Sequence, residues 1–220
     1  MKTLILALVL LPTLAMAQDY PADWFKEVPR SEAASWEVLP QDAKAGEVIL
    51  SKRTELGIFS NFGATPFVLD EKSFASVEGL WQSLKYPDPA LPDDERHAIS
   101  DWEFTRAEVE AMVDRVAKGA GNSANKVYAK YKLKNINWGT HFFNYNDMAE
   151  GSQYHLMLIK RALRAKLDQN PGLWDLLMRT GCLTLRPDHI MSENDPPSYK
   201  YFNIYMELRS ERQFVPCNIE

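Results

Sequence analysis

Histidine and cysteine are scarce in this 220-residue chain, with four of the first and two of the second. His97, His141, His155 and His189 are scattered, and neither cysteine belongs to a CxxC pair. No cluster has the spacing of zinc or iron ligands, so no metal is expected and each histidine reads as a surface or core residue. A Ser-His-Asp arrangement, a P-loop, a GxGxxG turn and an HExxH helix are all missing, and with them the sequence signs of the chemistries they mark. Basic charge is not in excess either: 25 Lys and Arg stand against 30 Asp and Glu, a formal net charge of −5. A mildly acidic chain does not attract nucleic acid or an anionic membrane through its bulk field, although a local basic patch is compatible with this balance. Internal repeats, low-complexity tracts and linkers are absent as well.

Long apolar runs are limited to one, from Leu4 to Leu14, interrupted only by Pro12 and Thr13. It falls short of the roughly 20 residues that span a bilayer. Lys2 before it and Ala15-Met16-Ala17 after it complete the pattern of a cleavable signal peptide over residues 1–17, with the mature chain beginning at Gln18. Gln rather than Cys at that position gives no sign of a lipid anchor. The expectation is an exported protein, periplasmic or secreted, with no membrane attachment after processing. About 200 residues remain, enough for one domain with a sizeable core. Cys182 and Cys217 both lie in the mature part, where an oxidising compartment allows pairing; spacing leaves open whether they pair.

Residues 18–46 read as an irregular lead-in punctuated by Pro21, Pro29 and Pro40, with Trp24, Phe25 and Trp36 as its anchors. Residues 47–215 form the domain, and 216–220 a tail. Val48–Leu50 and Pro66–Leu69 suit short strands. Val77–Tyr86 is a helix with Ser76 as its N-cap and Pro87 as its stop. Thr105 and Glu108 form a capping box, after which Val109, Met112, Val113 and Val116 share a face up to Gly119. Residues 119–150 show no sustained period. A second helix runs from Gln153 to Leu167, burying Leu156, Ile159, Leu163 and Leu167. Asn170-Pro171 then opens a helix carrying Leu173, Trp174, Leu176 and Leu177, with Gly181 as its left-handed stop. Cys182–Leu185 suits a strand, and Tyr201, Ile204, Tyr205 and Leu208 a last helix. The fold class is α+β: one mainly helical domain with a small β component.

The first helix is the most informative element. Glu78, Gln82 and Lys85 fall within about 60° of one another around it, while Leu80 and Leu84 take the opposite side and Trp81 flanks the polar stripe. Glu78 sits in the first turn, where the helix dipole and free N–H groups favour its ionised form. A solvated face with an inconsequential acid–base pair has the same spacing, so spacing alone leaves the function open.

Five ordered segments between Phe59 and Arg209 add to this reading. They are Phe59-Ser60-Asn61-Phe62 with Pro66-Phe67-Val68-Leu69-Asp70; Ser76-Val77-Glu78-Gly79-Leu80-Trp81-Gln82-Ser83-Leu84-Lys85-Tyr86; Lys160–Leu167 with Asn170-Pro171 and Leu176-Leu177-x-x-Thr180-Gly181; Glu193-Asn194-Asp195; and Met206-Glu207-Leu208-Arg209. In this order they resemble the signatures of the NADAR family, whose fold is YbiA-like. Two positions depart from its pattern: Gly79 stands where the family has a histidine, and Pro196–Tyr201 replaces a tryptophan- and glycine-containing stretch. Ala117-Lys118-Gly119 is a faint counterpart of its central basic segment.

The resemblance implies N-glycosidase chemistry on ribosides, in phosphorylated riboflavin-pathway intermediates or in ADP-ribosylated guanine. It implies Glu78 as the carboxylate that stabilises an oxocarbenium-like state or activates water. Lys85 would bind phosphate or steady Glu78. Asn61 and Gln82 would hydrogen-bond ribose hydroxyls or base edges, Phe59, Phe62 or Trp81 would stack on the base, and Asp195 is a further polar candidate. The expected ligand is a nucleotide or an ADP-ribose-like compound, with nucleic acid only as an ADP-ribosylated substrate and no cofactor. A binding module of the same fold without turnover, or an interaction protein reusing the fold, is the alternative.

Overall fold

The computed structural model describes residues 19–147 and 150–213. The expected signal segment and the 216–220 tail lie outside the described residues, and so does Cys217. Cys182 is disulfide-bonded. Among the described residues no helix is long and apolar enough to cross a membrane. Six helices dominate the described residues, and the strands pair only two at a time, so the fold is α+β and mainly helical.

Strand β1 (Glu47–Ile49) pairs in parallel with β6 (Thr184–Arg186), which ties the two ends of the domain together. β2 (Phe67–Leu69) and β3 (Lys72–Phe74) form an antiparallel hairpin. Its two-residue turn, Asp70-Glu71, has φ of 48° and 65°, the left-handed pair that matches strand twist. β4 (Ile136–Trp138) and β5 (His141–Phe143) make a second hairpin. Strands this short do not stand alone and are braced by the helices.

Helix α1 (Val77–Ser83) lies at the centre with every residue buried. Ser76 caps it, Oγ accepting the Gly79 N–H at 2.9 Å. Around it pack α2 (Arg106–Glu110), α3 (Asp114–Tyr131) and α4 (Glu150–Gln169). α5 (Leu173–Arg179) and α6 (Tyr201–Ser210) close the far side of α4. The main core joins Leu80 and Leu84 of α1 to Leu163 of α4 and Tyr205 of α6, all fully buried.

Several expectations need correction. The Thr105–Glu108 capping box forms, but its helix stops at Glu110, and α3 begins anew at Asp114. Val116 is therefore 63% exposed, and Gly119 lies inside α3 rather than ending a helix. The buried face of α3 is made of Ala117, Ala120, Gly121, Ala124 and Val127, in a stretch read as aperiodic. Leu156 is only partly buried. The N-cap of α5 is Gly172, at φ 80°, not Asn170; Asn170 Nδ2 instead donates to the carbonyls of Pro66 and Lys166. Gly181, at φ 53°, does stop α5. Of the three expected anchors only Trp24 is buried, with Nε1 donating to Glu55 at 2.8 Å, whereas Phe25 and Trp36 are exposed; Leu39 is the lead-in's other fully buried large side chain.

The C-terminal end of α1 would leave carbonyls unpaired in the interior, and two buried arginines meet them. Arg96 Nη1 donates to the carbonyls of Leu84 (3.1 Å) and Lys85 (3.3 Å), and Arg106 Nη1 reaches that of Tyr86 at 3.4 Å. Asp94 accepts from Arg96 Nε and Nη2, Asp88 lies 3.6 Å from Arg106, and both guanidinium groups donate to Asn137 Oδ1. This paired network fixes the turn after α1 that carries Lys85.

Candidate functional site

α1 stops at Ser83, short of the expected Tyr86, so Glu78 and Gln82 share a helix face while Lys85 follows in the turn beyond it; Leu80 and Leu84 are fully buried behind. The three polar residues form a chain: Lys85 Nζ donates to Gln82 Oε1 at 2.7 Å, and Gln82 Nε2 donates to Glu78 Oε1 at 2.7 Å. Gln82 is completely buried and does not line the adjoining cavity. Its amide therefore positions Glu78 and Lys85 rather than meeting ribose or base as the resemblance implied.

Burial outweighs the helix dipole at Glu78. Desolvation pushes its carboxyl above the ordinary range, while the Gln82 hydrogen bond and the charges of Lys118, Lys85 and Lys52 pull it back down. Lys85 is lowered to about 8, first by burial and then by Lys118, with Glu78 opposing.

Both groups open into a cavity of about 600 Å³, a size that fits a small-molecule ligand. Asn61, Phe62, Trp81 and Asp195 also line it. The Asn61 loop is held from three sides: its carbonyl accepts the Glu78 N–H at 2.9 Å, that of Phe62 accepts the Asp114 N–H at 3.1 Å, and Lys166 Nζ binds the carbonyls of Ile58 and Ser60. Asp195 Oδ2 accepts the Ser192 N–H at 2.8 Å and shapes its own loop.

The aromatic residues separate into different roles. Phe59 is fully buried, packs edge-on against Tyr205 at 4.9 Å and belongs to the core, not to the cavity. Trp81 stacks on His155 with centroids 3.9 Å apart and meets the rings of Tyr145 and Tyr199 edge-on, so protein neighbours already cover much of it. Phe62 is half-buried, with Lys52 Nζ 4.9 Å from its ring centre.

Lys52, Arg115, Lys118 and His155 also line the cavity; of these only Lys118 lies in a segment that the resemblance touched, faintly, and the other three carry no local sequence signal. Lys52, Arg115 and Lys118 are exposed side chains that make the rim cationic, with Lys52 3.3 Å from Asp188. Trp36 and Ile190 complete the mouth, where the Ile190 N–H donates to the Trp36 carbonyl at 3.1 Å. A buried carboxyl beside an ammonium, under a cationic and aromatic rim, suits a ligand with a flat or sugar-like end and an anionic end.

No family model matches the chain, and no curated protein matches it. Among solved structures it is similar to the E. coli protein YbiA, at 23% identity and a TM-score of 0.42, over 73% of this chain and 80% of that one. The reading of the site rests on this chain's own geometry.

Gly79 has no room for the histidine of the resembling pattern. A Cβ there would stand 2.7 Å from the carbonyl oxygen of Met112 and 3.0 Å from that of Val109.

Proposed function

We propose that the chain is an exported N-glycosidase that hydrolyses the base–ribose bond of an ADP-ribose-like or nucleotide substrate. One observation carries the reading: a buried carboxyl, Glu78, is held by an amide–ammonium relay against a cavity with a cationic rim. In the reaction the C1′–N bond breaks and its electron pair leaves with the base nitrogen, which takes up a proton. Water forms the new C1′–O bond and gives its proton to Glu78, which returns it to solvent in exchange for the proton that the base takes from solvent, so one water is consumed overall. An anionic Glu78 also stabilises the positive charge that develops on the sugar. Gln82 and Lys85 hold the carboxyl in place, and Lys52, Arg115 and Lys118 offer charge to phosphate groups.

Export follows from the Lys2, apolar-run and Ala-x-Ala pattern. A location outside the cytosol favours nucleotides and ADP-ribosylated material over riboflavin-pathway intermediates, which are cytosolic. The second reading, a nucleotide- or ADP-ribose-binding module without turnover, is favoured by Gly79, where helix packing leaves no space for a side chain.

Mass spectrometry of the mature protein incubated with nucleotides, NAD, ADP-ribose and ADP-ribosylated nucleic acid separates the two. Released base marks the enzyme, and Glu78→Gln should then lower turnover at least about a hundredfold while changing affinity much less. A Glu78→Gln variant as active as the parent would refute the glycosidase role. Binding without released base would put the module reading first.

A further inference from the structure

The same cavity also carries buried polar groups that the described residues leave unmatched. His155, on α4, is 1% exposed, yet neither ring nitrogen has a hydrogen-bond partner among the described residues. Ser198, 3% exposed, has its Oγ in the same condition. Both line the cavity that holds Glu78. The His155 ring stacks on Trp81, and Tyr199, next to Ser198, meets the same ring edge-on at 5.5 Å. The turn Pro197–Tyr199 packs directly on α4.

Buried polar groups are nearly always paired, and an unpaired one costs stability that a sequence recovers only if the group has a use. We propose that His155 and Ser198 form a neutral hydrogen-bonding subsite that reads an uncharged edge of the ligand, while the rim cations take its anionic end. The inference rests on the nucleotide reading of this cavity and names which residues meet the uncharged part.

Charge distinguishes the two ends. Burial and the nearby Lys85 ammonium drive the His155 imidazole down to about 3, so near neutrality the ring is uncharged. It then offers one N–H donor and one lone-pair acceptor, and the Ser198 hydroxyl offers both as well. A phosphate gains little from such groups. A nucleobase edge or a sugar hydroxyl has both donors and acceptors and matches them. Trp81 holds the ring plane fixed, which removes the entropy cost of ordering it on binding.

Calorimetric titration with ADP-ribose tests this, using inorganic pyrophosphate as a probe of the rim alone. His155→Phe keeps a ring on Trp81 and removes both nitrogens. It should bind ADP-ribose at least about tenfold more weakly, bind pyrophosphate like the parent, and melt no lower than the parent because an unmatched polar group has gone. Ser198→Ala should shift in the same sense by a smaller factor. Nitrogen-15 NMR of the parent's His155 ring should show a shift on adding ADP-ribose and none on adding pyrophosphate, a readout that does not depend on any variant folding. Parent-like ADP-ribose affinity in both variants, or an unmoved ring signal with ADP-ribose bound, overturns the subsite while leaving the nucleotide reading in place. Failure of the parent to bind ADP-ribose at all overturns both.

Discussion

Gly121 of α3 lies directly against the amide of Gln82: a Cβ built on Gly121 would stand 1.8 Å from Gln82 Oε1. That oxygen is the one receiving Lys85 Nζ, so the approach of two helices sets the relay behind the cavity wall. Gly121→Ala must push the amide aside and break at least one of its two hydrogen bonds. Turnover should fall about tenfold or more from misplaced Glu78, with a stability loss of about 1–3 kcal/mol from crowding in a packed interior. Kinetics and thermal unfolding of the variant check this. Parent-like turnover would mean that the relay does not position the carboxyl.

The other end of α1 depends on Arg96. Arg96→Met should remove the donor to the Leu84 and Lys85 carbonyls and leave Asp94, 4% exposed, without its guanidinium. Breaking one partner out of a buried ion pair costs about 3–5 kcal/mol. Chemical denaturation should show a loss of that order. A loss well under 1 kcal/mol would show that the network is dispensable for holding α1.

The parts of this site that were legible in the sequence were local ones. Ser76 with its N-cap geometry and the Glu78–Gln82 spacing marked one helix and its polar face without any long-range contact, whereas Pro87 placed its end too late: α1 stops at Ser83 and Lys85 sits in the turn that follows. Helix α3 escaped because Gly119, Gly121, Asn122, Ser123 and Asn125 are poor helix formers, and its buried residues are mostly small. The clue was there: Ala117, Ala120, Ala124 and Val127 repeat every three or four residues, a stripe for close helix approach rather than a large apolar face. The cationic rim could not be read in this way. Lys52, Arg115 and Lys118 meet only after β1, α3 and α1 have packed, and the burial that raises the Glu78 carboxyl is a property of the fold.

Lys166 gives a stability prediction with a definite sign. It is fully buried, donates to the carbonyls of Ile58 and Ser60, and is lowered by burial from 10.5 to about 7. The unfolded chain therefore holds more protons than the folded one between those two values, and stability should rise as pH increases through that window. The contribution is complete above the unfolded value and lost as pH falls through about 7. Denaturation midpoints across this range, compared with Lys166→Met, should show a pH slope in the parent that is reduced in the variant. An equal slope in both would remove Lys166 as its source.

Export yields a direct test. The secreted or periplasmic protein should begin at Gln18 by N-terminal sequencing, after cleavage behind Ala17. A protein retained in the cytosol with Met1 in place would refute the localisation and restore riboflavin-pathway intermediates as substrates.

The ammonium of Lys85 supplies the last prediction. Burial and Lys118 bring it down to about 8, so it loses its charge just above neutrality instead of far above it. If Lys85 attracts a phosphorylated ligand, affinity is highest below that value, where the group is cationic, and falls as pH rises through it. A bound phosphate would itself hold the proton on Lys85, so the decline should begin near 8 in the free protein and be delayed in the complex. Titration with AMP between pH 6 and pH 10 should therefore show a falling affinity, and adenosine, which carries no phosphate, should show none. Lys85→Met should weaken AMP at low pH, flatten the profile and leave adenosine nearly unchanged. The variant leaves Lys52, Arg115 and Lys118 in place, so the difference between parent and Lys85→Met isolates the contribution of Lys85. A flat AMP profile in the parent, or the same decline in Lys85→Met, would confine Lys85 to steadying Gln82 and Glu78.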